Sequence, residues 1–293
     1  MFEESDVRQL VRAALAQMLD DTKPAGPLVP AGMSTLTVTE DGLVPDVTAV
    51  STKDEFHVPH PSDRDGYLAI KRSTVARIGV WRAGPRYNTW SLLHFRADHA
   101  TAQDAVFMDV PEDFVAKQGF IAGQSRCTSK DEFLTRPDLG RQLDDQTKAL
   151  FDQKLQKRAK VTLMVADGLS SAAMVNISDV VPAIVQGLKA SGVEIGPIPY
   201  VKYGRVGVMD DVGALLGSDA VCLLIGERPG LATGESMSAY MAYQPNPSRP
   251  ESWRTVVSNI YAGGTPPAEA GAHVATIIKR ILDEKVSGVD LSM

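Results

Sequence analysis

Ala220-Val221-Cys222-Leu223-Leu224-Ile225-Gly226-Glu227-Arg228-Pro229-Gly230 sets the reading of the chain. Its small and branched apolar residues run without polar interruption and stop at Gly-Glu-Arg-Pro-Gly, which is how a strand buried on both sheet faces reads. Charge enters where the strand ends. In open α/β sheets ligands bind just outside the carboxyl ends of the strands, so Glu227 and Arg228 stand where binding residues belong. The same pair also suits a solvated turn that only ends the strand. Gly226 and Gly230 allow backbone to approach a bulky partner, and Pro229 stiffens the turn.

The flanking sequence repeats the strand-then-helix rhythm. Val161 to Ala166 reads as a strand ending in Asp167-Gly168-Leu169-Ser170-Ser171, and Ser178 caps a helix striped by Val181, Ile184, Val185 and Leu188. Ile195 to Val201 supplies another strand, ending in Lys202-Tyr203-Gly204-Arg205, and Val212 to Leu216 a short helix. Thr265-Pro266-Pro267 starts a last helix carrying Val274, Ile277, Ile278, Ile281 and Leu282. Such alternation implies α/β architecture, a Rossmann-like parallel sheet with helices over residues 159–293. Asp167, Lys202, Glu227 and Arg228 then all fall at strand ends along one rim of that sheet.

Residues 61–158 read as a mostly helical segment. Trp90, Leu92, Leu93, Phe95 and Ala97 begin a helix reaching about Val106, and Pro111 opens a short one. Thr135-Arg136-Pro137-Asp138 matches a capping box for a helix to about Leu155. Between Lys71 and Arg86 basic residues sit among small and apolar ones, so that Arg72, Arg77, Arg82 and Arg86 suit either carboxylates across a subunit interface or salt bridges within the chain. In residues 1–60, positions 5 to 20 carry the three-and-four spacing of an amphipathic helix (Val7, Leu10, Val11, Ala14, Leu15, Met18, Leu19), and a proline-rich stretch to about His60 reads as a flexible linker. A tethered helix of this kind is a docking peptide or a helix folded back on its own domain.

Composition narrows the function classes. With 293 residues, 44% hydrophobic and 23% charged, the chain is ordinary globular material of one or two domains. A net charge of −6 argues against nucleic-acid binding, which needs a basic surface. The acidic start, Met1-Phe2-Glu3-Glu4, lacks the basic region of a signal peptide, and no run of apolar residues is long enough for a membrane span, which reads as a cytoplasmic protein. Cys127 and Cys222 read as reduced thiols, the second inside an apolar strand.

The familiar chemical signatures are missing. Neither G-x-G-x-x-G nor G-x-x-x-x-G-K-[ST] occurs. Gly168-Leu169-Ser170 and Gly234-Glu235-Ser236 begin like a nucleophile elbow but lack its second glycine. No two of His57, His60, His94, His99 and His273 have the i, i+4 spacing of a helical metal site, so no metal site is expected. The strand ends therefore suggest a binding surface without a complete catalytic set.

Seven blocks together carry a resemblance: Arg72-Ser73-Thr74-Val75-Ala76-Arg77, Arg82-Ala83-Gly84-Pro85-Arg86, Leu134 to Arg141, Asp167-Gly168-Leu169-Ser170, Tyr203-Gly204-Arg205-Val206, Gly226 to Leu231, and Ser258-Asn259-Ile260 through Gly263-Gly264-Thr265-Pro266-Pro267. In order and spacing, over residues 67 to 293, they resemble the small (light) subunit of ethanolamine ammonia-lyase. The resemblance implies an enzyme that converts ethanolamine to acetaldehyde and ammonia by a radical mechanism with adenosylcobalamin. It implies a large partner subunit carrying most catalytic groups, a hetero-oligomer, and a cobalamin site shared between the two chains. Carried over residue by residue, the cofactor contacts fall on Val206, Glu227 and Val256, none of them catalytic; better-known members have cysteine where this chain has Val256, which favours a packing or backbone contact there. The D-x-H-x-x-G signature of histidine-ligated cobalamin is absent, so the expected binding keeps the lower base on cobalt. Related enzymes enter protein-shelled bacterial microcompartments through terminal amphipathic helices, a role that residues 5 to 20 fit. Two other readings stay open: a non-catalytic scaffold that only stabilises the large subunit, and a nucleotide-binding Rossmann protein.

Overall fold

The computed structural model of the chain describes residues 55–291. The amphipathic helix over residues 5 to 20 and most of the linker lie outside the described residues. Within them, an α/β unit is built on one sheet of six strands: β3 (Ile121–Gln124), β4 (Val161–Ala166), β5 (Pro199–Lys202), β6 (Ala220–Gly226), β7 (Met237–Tyr243) and β8 (Thr255–Ile260). Their spatial order is β3-β5-β4-β6-β7-β8. The helices that cover it are α5 (Asp145–Lys154), α6 (Ile177–Ala190), α7 (Val208–Leu216) and α8 (Pro267–Glu284). Before the sheet come α1 (Arg64–Arg72), the two-residue ribbon strands β1 (Arg82–Ala83) and β2 (Arg86–Tyr87), α2 (Thr89–Phe107), α3 (Glu112–Lys117) and α4 (Lys130–Thr135).

All seven residues of β6 are buried, as the unbroken apolar run requires. Cys222 and Leu224 join a core with α6 and α8, whereas Val221, Leu223 and Ile225 join a second core with α5 and α7. The period-two alternation of a strand thus feeds two apolar layers from one segment. Both thiols are free and buried, and burial pushes that of Cys222 up to about 12, which makes it a packing group. The segment Ser171–Ala190 is long and apolar enough to pass for a membrane span, but half of it is buried inside the fold. It packs on α8, where Gly187 lies so close to Ala275 that an added Cβ would sit 2.7 Å from that methyl group.

The sheet corrects the sequence expectation of a parallel one: it is mixed. The strands β3, β5, β4 and β6 run parallel, but β7 and β8 are antiparallel to their neighbours. In Met237-Ser238-Ala239-Tyr240-Met241-Ala242-Tyr243 the small residues interrupt any continuous apolar run, although all but Tyr240 and Tyr243 are buried. The helix starts also shift. Thr135 ends α4 instead of capping a helix; Ser129 caps α4 by accepting from the Glu132 N–H at 3.2 Å, and Asp144 caps α5 by accepting from the Thr147 N–H at 2.6 Å. Ser178 lies inside the first turn of α6, which a short 3-10 turn over Ser171–Asn176 precedes. Pro267, with Pro266 before it, opens α8 as the early prolines require.

Three strand ends meet in very little space. An added Cβ at Gly226 would lie 2.1 Å from the Ser170 carbonyl oxygen, one at Gly168 would lie 2.2 Å from the Gly226 oxygen, and one at Gly204 2.8 Å from the Ala166 methyl group. Beneath them Asp167 is 1% exposed. Its carboxylate accepts from the backbone N–H of Gly168 at 2.9 Å, Tyr203 at 2.9 Å and Gly204 at 3.2 Å. It so joins the end of β4 to the loop after β5, in which Tyr203 holds a left-handed φ of 56°. Burial is the largest influence on this group and pushes its pKa up from 3.8 to about 6, against the pull of the three N–H donors.

Gly226→Ala is expected to lower stability by about 3 kcal/mol, because backbone oxygens cannot step aside, whereas Gly230→Ala, with open space around it, changes the unfolding free energy measured in urea by less than about 0.5 kcal/mol. Between pH 4 and 6 folded Asp167 retains a proton that the unfolded chain has released, so its contribution falls as pH rises through that window, by an amount on the order of 3 kcal/mol. Asp167→Asn turns an amide NH2 toward N–H donors and is expected to be destabilised at every pH and to lose that slope. Urea midpoints of both proteins across the window check this, and an unchanged slope would show that Asp167 titrates normally.

Candidate functional site

A groove of about 230 Å³ opens at the carboxyl ends of β4, β5 and β6 and extends over the adjoining face of β7 and β8. Its floor is Gly168, Gly204, Ile225 and Gly226, and its walls include Leu169, Val206 and Tyr240. The glycines leave the floor largely backbone, which suits a broad ligand approaching the sheet edge.

Glu227 projects from the end of β6 and is half-buried. Its carboxylate accepts from the Ser236 hydroxyl at 2.7 Å, from the Ser238 hydroxyl, and from the Asn259 backbone N–H at 3.2 Å. The last of these matters because Asn259 has a left-handed φ of 57°, a conformation Asn tolerates better than most residues. A carboxylate offers roughly four lone-pair sites, so three donors leave one for an incoming N–H or O–H. Ser238 also reaches the Ser258 hydroxyl at 3.2 Å, which carries the network across to β8.

Tyr240, which the sequence reading passed over, lines the same groove beside Ser238 and Ser258. Burial, then the nearby Glu227 charge, holds its phenol above the usual range, and the hydroxyl makes no hydrogen bond among the described residues. Val256 lies directly across from Tyr240 in the β7–β8 ladder and is 43% exposed. Opposed residues share a sheet face, so it continues the groove's apolar side beyond the lining itself.

Of the four strand-end charges expected on one rim, the structure brings two to the groove. Glu227 and Arg228 line it; Asp167 is buried below as the tie described above. Lys202 turns toward Asp109, 3.6 Å away, and lies over the Tyr203 ring. Arg205 joins the lining instead. A period-two signal for Ser238 and Tyr240 was present in β7, but without an apolar run to mark the strand it could not be used. No cluster of metal-ligating side chains occurs among the described residues.

Of the arginines before the sheet, Arg77 is internally paired, to Asp98 and to the Leu231 carbonyl at 3.0 Å, while Arg82 covers the Tyr87 ring. Around them a set of large apolar side chains faces outward: Ile70 and Val75 are each 61% exposed, Leu93 57% and Phe107 59%. In α2 only His94 and Ala105 are buried. So many exposed large apolar side chains over one segment are a feature of interaction surfaces.

Comparison with known proteins agrees with this geometry. The family described as Ethanolamine ammonia-lyase light chain (EutC) matches residues 64–292. A protein of Listeria monocytogenes named ethanolamine ammonia-lyase small subunit is 50% identical over 98% of this chain and 99% of its own length. Proteins of the same name from Clostridium perfringens and Lachnoclostridium phytofermentans are 49% and 44% identical, with 98% and 99% of this chain covered and 99% of each relative. With the matched residues spanning the sheet, the groove and the apolar arm before them, the chain belongs to the ethanolamine ammonia-lyase light chain family.

Proposed function

We propose that this chain is the small subunit of an adenosylcobalamin-dependent ethanolamine ammonia-lyase and forms the cobalamin site together with a large subunit. The observation that carries the reading is the groove at the ends of β4, β5 and β6: a backbone floor, apolar walls and a few directed polar groups. A corrinoid is broad, largely apolar and fringed with amides, and these are the groups that meet such a surface. A groove of about 230 Å³ embraces only part of so large a molecule, which leaves the remainder to a partner.

The residues fit the group. The free lone pair of Glu227 and the unpartnered Tyr240 hydroxyl are placed for amide or ribose contacts, and Val206 and Val256 for apolar ones. When bound, adenosylcobalamin supplies the radical that starts deamination of ethanolamine to acetaldehyde and ammonia. This chain's part is to hold the ligand against the sheet edge and to exclude water from it. Within residues 61–158, the apolar stretch from α1 to α2, with Leu93 and Phe107 outward, is the surface for the large subunit. The alternative of a pure scaffold predicts no contribution from Glu227, and that of a nucleotide-binding Rossmann protein predicts no need of a partner.

Co-purification with the cognate large subunit, followed by an ethanolamine assay with adenosylcobalamin, is expected to give activity from the pair and from neither chain alone. Glu227→Ala should weaken cobalamin binding to the pair by about 1–3 kcal/mol in a spectroscopic titration, the magnitude of a lost buried hydrogen bond. An unchanged titration removes Glu227 from the site. Leu93→Glu should cut recovery of the pair on gel filtration while leaving the thermal midpoint of this chain within about 1 °C, since an exposed side chain contributes little to its own fold. Deleting residues 1–20 should leave lyase activity intact and abolish association with a microcompartment shell; lost activity would assign that segment to the enzyme instead.

A further inference from the structure

Two polar struts run from the segment between α1 and α3 to the sheet, and each ends on a loop that lines the groove. The first is Arg77, which pairs with Asp98 of α2 and donates through Nη2 to the Leu231 carbonyl at 3.0 Å. Leu231 lies in the loop from β6 to β7, whose first residues, Glu227 and Arg228, line the groove. Further along that loop an added Cβ at Gly234 would lie 3.0 Å from the Ala105 methyl group of α2. The second strut is Asp109, just past the end of α2. Its carboxylate reaches Lys130 Nζ at 3.5 Å and Lys202 Nζ at 3.6 Å, and Lys130 also donates to the Met108 carbonyl at 3.2 Å. Both ammonium groups lie over the Tyr203 ring, at 5.4 and 4.9 Å from its centre. Directly after Tyr203 come Gly204, Arg205 and Val206, all of which line the groove, whereas neither Arg77 nor Asp109 does.

The struts stand at the edge of the outward apolar surface. Val75 is two residues before Arg77, Phe107 and Met108 directly precede Asp109, and all three are exposed. The Asp109 side chain is half exposed, and the Arg77–Asp98 pair is partly open to water. Ion pairs so placed hold weakly, because water competes for both charges. A protein surface laid over Val75, Phe107 and Met108 removes that competition, and the attraction rises as the local dielectric falls.

We infer that Arg77 and Asp109 are positioning residues: docking of the large subunit on the segment from α1 to α2 tightens both struts, and the struts hold the β6–β7 loop and the Tyr203–Val206 loop in their ligand-binding geometry. Ligand affinity is thereby tied to assembly through side chains outside the groove lining. This rests on the function proposed above and adds how its two surfaces communicate. The coupling is reciprocal, so a filled groove also tightens the subunit contact.

The test uses the full chain, alone and assembled with the cognate large subunit. Wild type, Arg77→Ala, Arg77→Lys, Asp109→Ala and Asp109→Glu are compared by hydrogen–deuterium exchange over residues 203–206 and 228–236, and the complexes are titrated with adenosylcobalamin. In wild type, assembly is expected to slow exchange in both loops. In the complex, Arg77→Ala should speed exchange about fivefold in residues 228–236 alone, and Asp109→Ala by about the same factor in residues 203–206 alone. Each should weaken adenosylcobalamin roughly tenfold while the thermal midpoint of the free chain stays within about 2 °C, as expected for solvated ion pairs. Arg77→Lys and Asp109→Glu, which keep the charge, should recover part of the protection and of the affinity. Loops that exchange alike in the free chain and the complex overturn the inference, as does protection that persists in both alanine variants. A variant that loses subunit association outright marks a direct contact and overturns it for that residue. An unchanged titration overturns the coupling and leaves the cobalamin reading in place, whereas a wild-type complex that binds no adenosylcobalamin overturns both. Were Asp109→Ala to misfold, the exchange pattern and titration of Arg77→Ala still decide the matter.

Discussion

Everything at the carboxyl edge of this sheet hangs on one carboxylate without an ion-pair partner. Asp167 leaves β4 into a space that water does not reach and is satisfied by three backbone N–H groups, two of them from the loop that follows β5. Each such donor offsets part of the cost of burying the group, and none can leave without exposing the rest to an apolar surrounding. The loop carrying Tyr203, Gly204, Arg205 and Val206 is therefore fixed by the end of the neighbouring strand. It is held from the other side as well, where the Arg205 N–H donates to the Gly140 carbonyl at 2.7 Å.

Glycine makes that arrangement possible. A side chain at Gly168 would meet the Gly226 backbone and one at Gly226 the Asp167 and Ser170 backbone, so either would push the ends of β4 and β6 apart. The groove floor is consequently main chain. Glu227, one residue past this crossing, has its backbone N–H tied to the Ser236 carbonyl at 2.9 Å and its carboxylate tied to the Ser236 and Ser238 hydroxyl groups and to the Asn259 N–H of β8. The same residue that faces the groove thus also fastens the antiparallel strands to the parallel ones. The recognition role proposed for it and its part in folding share one set of hydrogen bonds.

The two ends of the described chain serve different needs. From β3 onward apolar side chains pack into two cores, one on each face of the sheet, and little large apolar surface remains outside. From α1 to α2 the reverse holds, with Ile70, Val75, Leu93 and Phe107 turned outward. Exposed apolar surface of this kind is a feature of interaction surfaces. Such a division suits the shared site and the subunit contact proposed above.

The amino-acid sequence by itself determined the strands that are buried on both faces and the helices between them. Val161–Ala166 and Ala220–Gly226 are legible because burial on both faces demands apolar residues at every position, and Pro267–Glu284 because its stripe repeats at helical spacing and prolines mark its start. Glu227 was legible for the same reason: a charge directly after such a run has nowhere to lie but the strand's end. Tertiary structure alone decided the rest. β7 and β8 are antiparallel, a pairing set by the chain's return path and not by composition, and β8 exposes three of its six residues, so it carries no apolar run. Tyr240, Ser238 and Ser258 became groove residues only through that pairing. Asp167 and Lys202 look alike in sequence, each a charge at a strand end, yet one is buried beneath the loops and the other turns away to Asp109. Which of them faces a ligand depends on how closely neighbouring strand ends approach, and that distance is a property of the assembled sheet.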